Sequence, residues 1–190
     1  MMNHRRTWVD LLGLGCLVLI GVGLRWSLQD YPNVSPVAAL ALLAGCVFSR
    51  RTIAVAVPLG IMLVSDLKFG SYDLLTMLSV YGCLTVPVLA GPWLRKQIQS
   101  QRRMMAVVIT GGVSGLACSI IFFVVTNFAV WLSSSMYPAS LSGLAQCYSQ
   151  AIPFFRHTLM GDLSFSILFL GCYAVALQWA LRHEEKVVTP

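Results

Sequence analysis

Asp162 lies a few residues inside an apolar run that extends from 158 to 181, and Arg156 and His157 stand just ahead of that run. A carboxyl, a guanidinium and an imidazole this close in sequence suit two kinds of chemistry. They can pass a proton as an acid–base pair, or they can grip the polar groups of a small solute. Residues 157 and 162 are offset by about 140° on a helix, so an acid–base pair would converge only across a bend. Cys147, the one cysteine outside the apolar runs, would be the nucleophile of such an enzyme, but no G-x-S-x-G or H-E-x-x-H signature accompanies it. The chain therefore reads as a binder and not as an enzyme. The six cysteines form no C-x-x-C pair and show no ligand spacing with histidine, so no metal or cofactor is expected.

An acid several ångströms inside an apolar run must face other protein or a wet cavity and have a partner. Arg156, His157 and Asn127 are the nearest candidates. The expected substrate-binding set is Asn33, Asn127, Trp131, Tyr148, Arg156, His157 and Asp162, with the aromatics stacking on a ring and Arg156 and Asp162 selecting polar groups. The bland alternatives are an aromatic belt for Trp26, Trp131 and Tyr137, and exposed ion pairs for Asp66 with Lys68 and for Asp30 with Arg25.

The elements that position these residues are set by the solvent. Of 190 residues, 57% are hydrophobic and only 11% charged, against roughly 25% charged in soluble domains. One core cannot hide that much apolar surface, so the excess faces lipid. At about 20 residues per crossing, the apolar runs predict an all-α, polytopic bundle of six transmembrane helices in a single domain, at 8–28, 36–48, 53–67, 72–94, 104–132 and 158–181. The first, behind a basic start, exits at Gly23-Leu24-Arg25-Trp26-Ser27 without an A-x-A site, and reads as an uncleaved helix. The second and third are short runs parted by Arg50 and Arg51; one continuous helix would hold two arginines at mid-membrane, so a tight hairpin sheltered by longer neighbours is expected. Pro36 suits the first turn of the second helix, whereas Pro58 and Pro87 fall inside spans and predict kinks.

Arg5, Arg6, Arg50, Arg51, Arg95, Lys96, Arg102, Arg103, Arg182 and Lys186, ten of the thirteen basic residues, fall on one side of this map. By the positive-inside rule both termini are cytoplasmic, in the inner (plasma) membrane. The net charge of +6 then reports topology and not nucleic-acid binding. The longest outer loop has apolar residues at helical spacing over about 140–151, ending before Pro153, which predicts an amphipathic lid helix lying on the outer face. Gly111-x-x-x-Gly115 with Ser119, and Ala41-x-x-x-Gly45, are small-residue faces for close contact inside the bundle or with a partner.

The stretches Asn33-Val34-Ser35-Pro36-Val37-Ala38-Ala39-Leu40-Ala41-Leu42, Thr126-Asn127-Phe128-Ala129-Val130-Trp131, Cys147-Tyr148, Ala151-Ile152-Pro153-Phe154-Phe155-Arg156 and Thr158-Leu159-Met160-Gly161-Asp162 resemble a bacterial membrane family without assigned function. In size, helix number and orientation that family is similar to the S-components of energy-coupling-factor vitamin transporters. The resemblance implies a vitamin-like solute bound at the outer end of the bundle, and a membrane scaffold subunit with ATPases as partner. The first helix departs from the docking face usual there, with Gly13, Gly15, Gly21 and Gly23 but no Ala-x-x-x-Ala. The alternative is an assembly protein that binds a membrane partner and no ligand.

Overall fold

The computed structural model describes residues 2–70, 73–100 and 104–188, with side chains over 7–70, 73–100 and 104–181. Tyr72, Arg102 and Arg103 lie outside the described residues, as do the side chains of Arg5, Arg6, Arg182 and Lys186. The chain forms α1 (Met2–Ser27), α2 (Val37–Val47), α3 (Arg51–Phe69), α4 (Leu74–Thr85), α5 (Pro87–Ser100), α6 (Met104–Ser133) and α7 (Leu141–Val188), with no strand among the described residues. Among the described residues five helical stretches are long and apolar enough to cross a membrane: 7–27, 51–69, 74–100, 104–133 and 141–181. Their outward faces carry Leu12, Leu19, Leu63, Leu89, Val113 and Met160, all more than half exposed, which only hydrocarbon solvates at low cost. The protein is a membrane-embedded helical bundle.

Its core is α2. This helix has 11 residues, about 16 Å of rise against roughly 30 Å of hydrocarbon. Nine of the 11 are buried, including Val37, Leu40, Leu42 and Cys46, so the helix is apolar all round and enclosed by α1, α3, α4, α5 and α7. The hairpin to α3 turns at Ser49 and Arg50 as expected, because a basic pair is cheaper at a membrane edge than inside. The third helix runs to Phe69, long enough to cross alone. Pro36 occupies the N-cap and Val37 opens the helix, one residue later than the first-turn placement.

At the C-terminal end of α2 the bundle is very tight. A Cβ on either Gly45 or Gly91 would collide with backbone of the other helix, so α2 and α5 cross main chain against main chain. Pro92 lacks the N–H that would bond the Val88 carbonyl, and that carbonyl faces Gly45, a geometry suited to a Cα–H contact. The span expected at 72–94 is two helices, α4 and α5, meeting at Val86; Pro87 offers no N–H to the Cys83 carbonyl, and Leu89 instead bonds Val86 in a tightened turn.

α6 and α7 form the longest hairpin. Gly111, Gly115 and Ser119 are all buried against α7, so this small-residue face serves packing within the bundle. The 140–151 helix is not a separate lid. It continues through Pro153 as the first arm of α7 and packs against the last turns of α6. Cys147 Sγ donates to the Asn127 carbonyl at 3.5 Å, Tyr148 Oη donates to the Val124 carbonyl at 2.6 Å, and the Phe123 ring contacts both Tyr148 and Phe155. Two forces won over the expected stop: the arm's apolar side found a partner in α6, and a proline inside a packed membrane helix breaks only one rung of the ladder. Between the Asn127–Cys147 and Ser119–Asp162 contacts α6 advances eight residues and α7 fifteen. Two straight helices cannot satisfy both, so α7 leaves the α6 axis in this stretch, where Pro153 interrupts its hydrogen bonds.

Candidate functional site

Because α2 stops half-way, the column above it is filled by the 28–36 segment and a cavity. The cavity has a volume of about 360 Å³ and is walled by the end of α1, by Tyr31 to Ser35, by Ala38 of α2, and by residues of α3, α4, α6 and α7. Two backbone features bring this wall in. A Cβ on Gly161 would sit 3.2 Å from the Ser35 nitrogen, so the segment lies directly on α7. Asn33, at φ 65, takes the left-handed turn that asparagine tolerates better than most residues.

One side of the cavity carries a guanidinium. Arg25 lines it and pairs with Asp66 at 2.9 Å; the same nitrogen also donates to Ser65 Oγ and lies 3.1 Å from Met62 Sδ. Tyr81 of α4 donates to the other Asp66 oxygen at 2.9 Å, and the guanidinium sits 5.3 Å from the Phe69 ring centroid. This is a half-buried network, with the two ionic side chains 18% and 12% exposed. It corrects the expected surface pairs: Arg25 takes Asp66 from the neighbouring helix α3, and Lys68 lies over the Trp26 ring at 5.6 Å. The N-terminus of α2 adds to the same side. Ala38 lines the cavity, Val37 N–H reaches Ser35 Oγ at 3.4 Å, and the helical ladder begins only at the Leu40 N–H to Pro36 carbonyl bond. The first turn therefore carries N–H groups outside the ladder, and the positive end of its dipole lies beside the cavity.

Asp162 faces this side from α7. It is 5% exposed and accepts a hydrogen bond from Ser119 Oγ at 2.7 Å. The bond depends on Gly115: a Cβ there would stand 2.6 Å from the Asp162 carbonyl, so only glycine lets the helices close enough for a short hydroxyl to reach the acid. One turn along α7, the Ser166 hydroxyl is fully buried without a hydrogen-bond partner. Among the described residues the ion pair is Arg25 with Asp66, and Asp162 has none.

Of the seven residues expected to bind substrate, Asn33 and Asp162 line the cavity. The other five do not. The Asn127 amide donates to the Phe123 carbonyl within α6, Tyr148 is spent on the α6–α7 contact, Trp131 donates to the Pro138 carbonyl at 3.0 Å, and Arg156 and His157 are exposed. Neither of these last two partners Asp162, because helical geometry turns them to the opposite side from Ser119. Cys147 is 2% exposed between α6 and α7, away from the cavity. The residues missed were Arg25, Ser35, Thr158 and Ser119. Only Ser119 had a readable signal, since a small-residue face must lie against another helix and any hydroxyl on it meets that helix's side chains. Among the described residues no three His, Cys, Asp or Glu side chains gather as a metal site.

No curated protein and no solved structure matches the chain. A family model, described as a family of unknown function (DUF6580), matches residues 5–185, and over that near-complete length the chain belongs to that family.

Proposed function

We propose that this protein binds a small, vitamin-sized zwitterionic or dipolar solute in the cavity above α2, as the substrate-binding subunit of a transporter or as a solitary transporter. The observation that carries this reading is the buried Asp162 carboxyl, which faces a cavity and has no cationic partner there. A carboxylate in such a place needs a positive or donor group to offset its desolvation. The opposite wall offers donors instead, since the open first turn of a half-length helix favours an anionic group beside the Arg25–Asp66 pair, the arrangement by which broken membrane helices hold substrate carboxylates. A ligand with donors at one end and an anion at the other meets both.

In this reading the five long helices and α2 form an S-component-like six-segment bundle in the inner membrane, with both termini cytoplasmic and the cavity at the outer end. The helix ends around the cavity support it, since α1 and α3 finish there and α2 begins there. A scaffold subunit with ATPases would supply energy. A second reading, an assembly protein without ligand, is favoured by α1, where Gly15 and Gly23 have nothing within 4 Å of an added Cβ and leave a face open to another helix.

The test is ligand retention. Protein purified in detergent is denatured, and the released small molecules are identified by mass spectrometry. Wild type should release one solute class in near-stoichiometric amount, and Asp162→Asn should release little of it. Equal retention by Asp162→Asn would remove the acid from the site. Recovery of a stoichiometric membrane partner and no solute would support the assembly reading.

A further inference from the structure

A second cavity, of about 220 Å³, opens between the α4–α5 junction and α6. It is bounded by Val86, Trp93, Val113 and Ile121, all of them strongly exposed toward lipid, and its walls are almost wholly apolar. Cys83, Pro87 and Cys118 line both this groove and the cavity that holds Asp162. The two spaces are thus neighbours across a single layer of side chains, at the point where Pro87 breaks the helix and the Cys83 carbonyl loses its usual donor.

We infer that the ligand is amphipathic: its polar end lies between Asp162 and the α2 N-terminus, and its hydrocarbon tail passes by Cys83, Pro87 and Cys118 into the apolar groove. The inference rests on the proposed reading of the polar cavity and adds the substrate class to it. Three features select the pocket's own ligand over a bilayer lipid. The groove ends against the wall that it shares with the polar cavity, at Cys83, Pro87 and Cys118. Its lining includes Ala90, Ala117 and Ser114 where bulk would close it. And the pocket's wall toward the groove is apolar, formed by Leu84, Pro87, Cys118 and Phe122, so a wholly polar solute would leave it uncontacted.

The probes are 2-aminoalkanoic acids of increasing side-chain length, from 2-aminobutyrate to 2-aminodecanoate, whose ammonium and carboxylate match the two walls. Dissociation constants are measured on the full-length protein in lipid nanodiscs. Affinity should rise about fourfold per added methylene and then level off once the groove is full. Ala117→Phe, which fills the groove from an exposed position, should abolish that rise while 2-aminobutyrate binds as to wild type. Ser114→Leu repeats the block at a second position should Ala117→Phe not fold. Binding of the whole series with no dependence on length would overturn the tail and leave the polar site standing. A rise with length that persists in both blocked variants would assign the gain to bulk lipid and overturn the inference. Failure of every probe, the shortest included, would overturn the inference together with the zwitterion-binding reading beneath it.

Discussion

The two ends of α2 have opposite designs. At its C-terminal end Gly45 meets Gly91 main chain to main chain, and Leu94, Ile98, Val107 and Leu170 pack with almost no exposed surface. At its N-terminal end the helix simply stops, a nine-residue segment (28–36) replaces it, and a cavity remains with an acid on one wall and a guanidinium on the other. The difference teaches where a membrane bundle can hold polar groups. A core helix of half length surrenders half of its column, and in that space backbone donors and charged side chains can exist without meeting lipid. The dense half keeps the helices in place; the open half gives them something to bind.

The contrast can be broken most severely in the dense half. Gly91→Leu should prevent recovery of folded, monodisperse protein in size-exclusion chromatography, because backbone cannot yield to a side chain as a flexible neighbour would; the cost is about 3 kcal/mol or more. A soluble, cooperatively melting variant would show that α2 and α5 are not locked at this crossing. Next in size is Arg25→Met, which strands Asp66 in a half-buried position with only Tyr81 as donor. A loss of about 2 kcal/mol is expected in thermal or denaturant unfolding.

In the opposite direction, Ser166→Ala removes a buried hydroxyl that has no partner and should stabilise the protein by about 1 kcal/mol, a rise of a few degrees in Tm for a chain of this size. A fall in Tm would reveal a bond that the hydroxyl makes. The smallest effect lies outside the membrane-spanning stretches, at Asp73. Ser133 and then the Thr76 N–H hold its carboxyl below the ordinary carboxylate range, as the cap of α4. A folded-state pKa that is depressed contributes stability above the unfolded value and loses it as pH falls through the folded one. Asp73→Asn should therefore narrow the gap in Tm between neutral and acid pH by about a degree and leave neutral-pH binding unchanged.

What could be read in the sequence divides along the same line. The α2–α3 hairpin was legible because two arginines cannot sit at mid-membrane, and the length of α6 because no charge interrupts it. The depth of Asp162 was legible by counting residues from the start of its run. Its partner was not, since Ser119 reaches it only through the register of α6 against α7, and that register is fixed by where Gly115 permits contact. Arg25 and Asp66 are 41 residues apart, so their pairing depends on the packing of α1 on α3, while the nearer Lys68 and Asp30 looked as suitable. Pro153 misled for a related reason: a proline ends a helix in water, but in a bundle the neighbouring helix can hold the chain straight enough to continue.

The central claim is that Asp162 and the cavity above α2, and not the exposed first arm of α7, hold the ligand. The most direct measurement quantifies the solute released on denaturing wild type, Asp162→Asn, and the double variant Arg156→Ala/His157→Ala, each purified identically. The account predicts equal, near-stoichiometric release from wild type and the double variant, and at least a tenfold loss from Asp162→Asn. Loss from the double variant with full retention by Asp162→Asn would contradict it and move the site to the arm.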